Sequence, residues 1–171
     1  MKGSLVIDFS LSLVRGGQQD MCGITGCVEP GLKREEWESR LRNMSDCMTH
    51  RGPDAEGIWY DEQAGIGLGH RRLSIIDLSE TGAQPMHSQD GRFTIVYNGE
   101  IYNFEEHRAE LERRNYSFRG TSDTEVVLNA IREWGLQEAL DRFNGMFAFG
   151  VWDKQDEQLH LVRDRIGIKP L

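Results

Sequence analysis

A cysteine directly follows a methionine in the run Met21-Cys22-Gly23-Ile24-Thr25-Gly26-Cys27-Val28. A start codon at Met21, followed by methionine removal, would make Cys22 the first residue. Its thiol and its own α-amino group would then share one atom frame, a nucleophile with a built-in base. An ordinary thiol titrates near ~8.5 and an α-amine near ~7.7–8.0, so the amine can take the thiol proton near neutrality and return it to a leaving group. No histidine is needed. A thiolate attacking an amide builds a tetrahedral oxyanion, which the Asn98 side chain and the Gly99 backbone N–H can stabilise. An Asn-Gly pair after a β run has an equal claim to being a hairpin turn.

The charged residues suit a free amino acid. Arg72 can hold a carboxylate through a bidentate fork. Asp123 or Glu100 can hold an ammonium. Taken singly, Arg72 and Glu100 read as solvated charges, and Asp123 reads as an acidic residue favoured at a helix N-terminus. That last role leaves the Asp123 carboxylate exposed at a helix mouth, compatible with a ligand. Arg51 either braces the nucleophile loop or caps the preceding helix. His70 and Arg71 read as packing and surface residues. His87, His107 and His160 show no metal spacing, and no metal site is expected. Cys27 and Cys47 read as small buried hydrophobes.

The 171 residues suit one domain with a full core. A net charge of −8 argues against a nucleic-acid backbone and against an anionic membrane surface as partners. No apolar run approaches the roughly 20 residues of a spanning helix. A free reactive thiol suits a reducing compartment, hence the cytoplasm. Residues 1–20 stand apart as an extension. They read as a pro-segment, as leader translated from a start assigned too early, or as a retained segment that blocks the Cys22 amine. The second is favoured, because Arg15-Gly16-Gly17 can be encoded by purine-rich codons resembling a ribosome-binding site. The domain proper is then 21–171.

Strands are expected at 24–29, across a hairpin at 57–60 and 65–69, at 92–97 leading into Asn98-Gly99, and as a pair at 145–152 and 159–163. The stretch 72–76 reads as strand or loop. Helices are expected over 34–49, with Trp37, Leu41, Met44 and Met48 on one face, and over 104–115. Ser122 opens a third helix, with Glu125 completing a capping box and Val126, Val127, Ala130, Ile131 and Trp134 forming its apolar face. This pattern predicts an α+β fold of antiparallel sheet with flanking helices. No phosphate-binding loop of the GxxxxGK[ST] type is present.

Seven segments resemble, in order, the glutaminase domain of asparagine synthetase, a class II glutamine amidotransferase. They are His50-Arg51-Gly52-Pro53-Asp54, His70-Arg71-Arg72-Leu73-Ser74-Ile75, Gly82-Ala83-Gln84-Pro85-Met86, Asn98-Gly99-Glu100-Ile101-Tyr102-Asn103, Ser122-Asp123-Thr124-Glu125, Gly145-Met146-Phe147-Ala148-Phe149 and the run from Arg163 to Leu171. Met21-Cys22-Gly23-Ile24 resembles that family's processed start. The resemblance implies an N-terminal nucleophile hydrolase fold, an αββα four-layer sandwich of two antiparallel sheets. It implies a glutamyl thioester on Cys22 and release of ammonia. It gives the glutamine carboxylate to Arg72, the amino group to Asp123 and Glu100, and the oxyanion to Asn98 and Gly99. Backbone at Ile75 and Ile76 would line the pocket. The partners implied are glutamine and a C-terminal synthetase domain, before which the chain is read as truncated; a homodimer is compatible. ATP and Mg would belong to that synthetase domain, with no cofactor in this one. The acceptor would most simply be aspartate, with other carboxylates as alternatives. A non-catalytic glutamine-binding or interaction domain is the competing reading if the Cys22 amine is blocked.

Overall fold

The computed structural model describes residues 22–73 and 82–171. Its elements are β1 (Gly23–Val28), α1 (Arg34–Asp46), β2 (Ala55–Asp61), β3 (Ile66–Arg72), β4 (Met86–His87), β5 (Phe93–Ile101), α2 (Phe104–Arg113), α3 (Asp123–Trp134), α4 (Leu136–Arg142), β6 (Gly145–Asp153) and β7 (Gln158–Arg163). The strands form two antiparallel sheets, ordered β1-β3-β2 and β4-β5-β6-β7.

Successive strand residues point to opposite faces, and both faces of both sheets carry apolar side chains. Each sheet must therefore be covered twice. Cys27, Trp37 and Leu41 pack with Ile58 and Tyr60 between α1 and the three-stranded sheet. Ile24, Ile66 and Leu68 meet Val96, Ala148 and Trp152 between the sheets. Ile95, Tyr97, Phe147 and Phe149 pack against Leu111, Val126, Ala130 and Phe143 on the far side of the second sheet. These apolar layers separate α1, two sheets and the α2–α4 group. The architecture is the expected αββα sandwich.

A bare strand lets α1 sit close. Gly67 and Gly69 face it from β3, and a Cβ on Gly67 would lie 2.7 Å from the Trp37 ring. On Gly69 it would lie 2.8 Å from Ser45 Oγ. At the other helical layer, Thr124 through Ile131 are buried without interruption, because α3 is wedged between β5, α2 and α4.

Several expectations need correction. Asn98-Gly99 is not a turn: β5 runs straight through it to Ile101. A Cβ on Gly99 would lie 2.4 Å from Met146 O and 2.6 Å from Phe147 Cβ, so the glycine serves close approach to β6. The capping box forms only in half. Ser122 Oγ accepts from Thr124 N at 3.1 Å, but Glu125 reaches backward to the N–H groups of Arg119 and Gly120. Cys47 is exposed rather than buried, because α1 stops at Asp46 and leaves Cys47 as its C-cap. Met48, expected on the helix, is buried just beyond it. The helix α4 was not anticipated, although Leu136, Ala139 and Leu140 carry its spacing. Gly135 at φ +78° ends α3 there and opens α4.

The tight fit at Gly67 makes a prediction. Gly67→Ala should lower the denaturation midpoint with an unchanged m-value, a loss of roughly 1–3 kcal/mol from overpacking against Trp37. An unchanged midpoint in chemical denaturation would show that α1 can move away at no cost.

Candidate active site

Strand alternation gathers most of the singled-out residues into the space between the sheets. Ile24, Leu68 and Val96 point there. Cys22 precedes Ile24 by two residues; Arg72 follows Leu68 by four; Asn98 and Glu100 follow Val96 by two and four, so each points to that same side. Gly23 pairs with Arg71, which sets Cys22 and Arg72 at one end of their sheet. Cys22 is half-buried, with Sγ 3.9 Å from Leu73 O. Arg51 and Arg72 are half-buried, Asn98 is buried and Glu100 is exposed. The Lys169 ammonium lies within electrostatic reach of Cys22, Glu100 and Asp164, which favour its charge, and of Arg51, which opposes it. Ile75 and Ile76 lie outside the described residues.

The edge of β5 gives the site its second feature. β4 pairs only with Thr94 and Ile95, so β5 continues past its neighbour. In an antiparallel ladder alternate residues aim both backbone groups to one side. Tyr97 N donates to Gln84 Oε1 at 2.6 Å and Ile101 N donates to Asp123 Oδ2 at 3.1 Å, both away from β6. Tyr102 N instead donates to Asn144 O, on the β6 side. The Gly99 N–H, midway between Tyr97 and Ile101, therefore points out of the same open edge. No strand lies opposite it among the described residues. Gln84 and Asp123 flank it as side-chain substitutes for a missing strand.

Asp123 is less exposed than expected. Its Oδ2 accepts from the Tyr97 hydroxyl at 2.8 Å as well as from Ile101. Burial pushes its carboxyl above the usual range; hydrogen bonds from Tyr97, Ile101 and Thr124 oppose that, and the Glu100 charge pushes it further up. Two carboxylates so placed repel each other, and a ligand cation between them would relieve both. On the thiol side burial lowers the Arg51 guanidinium, partly offset by Cys22. Burial also lowers Lys169, with Cys22 acting against it. His70, almost wholly buried, hydrogen-bonds the Tyr97 backbone, and burial brings its imidazole down to about 4, so it is neutral at pH 7.

Sequence reasoning missed Tyr97, Gln84 and Lys169. Gln84 sits inside the quoted Gly82–Met86 motif, which was a usable signal. Tyr97 was hidden because its position in β5 is an apolar-core one. Lys169 carried no local signal.

Residues 21–171 match a family described as the glutamine amidotransferase domain. The chain belongs to that family. This amidotransferase domain is 44% identical over 153 residues to the glutamine-hydrolyzing asparagine synthetase 1 of Bacillus subtilis (strain 168), covering 88% of this chain and 24% of the relative. It is 41% identical over 160 residues to amidase chry2 of Gibberella zeae, again covering 88% of this chain and 24% of the relative. The domain thus spans about a quarter of the length of the curated relatives it matches. Among solved structures, glutamine phosphoribosylpyrophosphate amidotransferase from B. subtilis, complexed with ADP and GMP, aligns with a TM-score of 0.53 at 24% identity, covering 62% of this chain and 24% of that one. That likeness carries the fold alone, a sandwich of two antiparallel sheets between helical layers. Among the described residues, no helix is long and apolar enough to cross a membrane.

The raised Asp123 carboxyl gives a stability test. A carboxyl raised by folding contributes stability that is full below its unfolded value, near ~3.9, and lost as pH rises through its folded value. Ionising Asp123 in the folded protein therefore costs stability. Asp123→Asn should raise the melting temperature relative to wild type at pH 7, and the difference should shrink as pH falls toward 4. A lower melting temperature for the variant at pH 7 would refute this account.

Proposed function

We propose that this domain hydrolyses glutamine to glutamate and ammonia through a thioester on Cys22, as the ammonia-supplying half of an asparagine synthetase-like amidotransferase. The observation that carries the reading is a half-buried thiol and a guanidinium at one end of the first sheet, facing the side of β5 that bears Asn98 and Glu100, with Asp123 and the Gly99 N–H at the open edge of that strand.

The chemistry follows from these groups. Arg72 takes the substrate carboxylate; Asp123 and Glu100 take its ammonium. The Cys22 α-amine, once free, removes the thiol proton, and the thiolate attacks the side-chain amide carbon. The carbonyl oxygen becomes an oxyanion held by the Asn98 amide and the Gly99 N–H. The Cys22 ammonium returns its proton to nitrogen, ammonia leaves, and a thioester remains. Water attacks the thioester by the same route, with the amine as base, and glutamate departs. Arg51 and Lys169 place positive charge beside the sulfur. Ammonia would then pass to a synthetase domain, where ATP and Mg belong, with aspartate the simplest acceptor. The cytoplasm suits a free catalytic thiol.

Cys22→Ala should abolish ammonia release while leaving glutamine binding measurable by calorimetry; loss of both would count against the assigned substrate contacts. Asn98→Ala should lower kcat far more than it raises KM, since an oxyanion donor is worth roughly 2.7–4 kcal/mol in the transition state. A change confined to KM would mean that Asn98 binds the ground state. The amine's role is tested by comparing protein beginning at Cys22 with protein beginning at Met1, each verified by intact mass. The first should be the faster by ~10²–10⁴-fold, the usual worth of general acid–base help. Equal rates would sink the amine as base.

A further inference from the structure

Tyr97 stands on the opposite side of β5 from Asn98 and Glu100. Its ring is buried in the helix-side core, with its centroid 6.3 Å from that of Phe149. The sheet itself separates that ring from the inter-sheet space, so Tyr97 does not reach a substrate lying there. Its hydroxyl nevertheless ends on a site residue, donating to Asp123 Oδ2 at 2.8 Å.

We propose that Tyr97 is a positioning residue for substrate recognition: its phenol holds the Asp123 carboxylate by Oδ2, in concert with the Ile101 N–H, and so presents the other oxygen to the α-ammonium of the substrate. The proposal rests on the reading above, in which Asp123 meets that ammonium. The torsion that turns a carboxylate about its last bond is broad and roughly two-fold, so an untethered Asp123 would sample many orientations. Two donors on one oxygen remove that freedom, the phenol from the core and the amide from the strand edge. Burial and the Asp123 charge hold the Tyr97 phenol well above its usual range, so it stays a donor at every working pH. A preset carboxylate binds a cation without first losing rotational freedom.

The consequence is selectivity. A site built to hydrogen-bond one substrate group rejects the analogue that lacks it. Wild type should therefore prefer glutamine over its des-amino analogue, 5-amino-5-oxopentanoic acid. Tyr97→Phe keeps the ring and deletes only the hydroxyl. It should raise KM for glutamine about tenfold, the scale of one hydrogen bond to a charged group. Turnover should stay within about threefold, because the contact forms with the ground state as well as the transition state. Values for the des-amino analogue should hold, so the discrimination ratio falls about tenfold.

The experiment measures ammonia release from both substrates by wild type, Tyr97→Phe and Asp123→Asn, with the inhibition constant of the analogue against glutamine as a second route to the ratio. Tyr97→Leu repeats the test if Tyr97→Phe folds poorly by circular dichroism. A collapse of the ratio in both Tyr97→Phe and Asp123→Asn supports the proposal. A collapse in Asp123→Asn alone overturns it and leaves the role of Asp123 standing. A ratio unchanged by Asp123→Asn overturns the role of Asp123 itself. Equal losses on both substrates in Tyr97→Phe mean a purely structural phenol and overturn the proposal.

Discussion

A backbone N–H cannot be left in a protein interior without a partner, and this constraint organises the candidate site. β4 is two residues long, while β5 beside it is nine. Past the end of β4, the N–H groups of Tyr97, Gly99 and Ile101 face an edge with no strand on it among the described residues. Gln84 answers the first and Asp123 the third. The middle one, Gly99, points out of the same edge between them. The oxyanion donor of the proposed mechanism is thus a gap in a ladder, bracketed by two side chains that fix its direction.

Charge is divided across the same space. Arg51 and Lys169 cluster near the sulfur; Asp123 and Glu100 cluster at the edge of β5 and the mouth of α3. The positive side suits a thiolate, and the negative side suits the ammonium of the proposed substrate. Burial works against every one of these charges that it perturbs: it lowers Arg51 and Lys169 and raises Asp123. Each perturbed group gains from a neighbour of opposite sign. His70 shows the contrast. It is buried more deeply and is neutral, and it reaches from β3 to the Tyr97 backbone on β5 without adding charge.

Much of this was legible in the sequence, for identifiable reasons. The β runs at 92–97, 145–152 and 159–163 and the helical spacing in α1 and α3 are local signals, and they gave antiparallel sheet with flanking helices; the four-layer stacking came from the family resemblance. What failed was nonlocal. Asn98-Gly99 has the composition of a turn, and only the approach of Met146 and Phe147 from β6 keeps it extended. Glu125 follows the spacing of a capping box, but the loop at Arg119 and Gly120 competes for its carboxylate and wins. Asp123 was expected in water, and a phenol from the next core layer reached it first. In each case the decisive partner lies far away in sequence or in another layer.

The segment after β7 has a meaning of its own. Asp164 accepts from the backbone N–H groups of Phe147, Ile166, Ile168 and Lys169, and Arg163 donates to the carbonyls of Gly167 and Lys169. Burial would raise the Asp164 carboxyl, but those amides outweigh it and hold it below its ordinary range. A run without helix or strand is thereby moulded as firmly as an element of regular structure. It delivers Lys169 to the vicinity of a cysteine nearly the whole domain away in sequence. For anyone dividing such a protein into parts, the last strand is the wrong place to cut. A piece ending at Arg163 would keep every layer of the sandwich and lose the positive charge that Lys169 brings near Cys22.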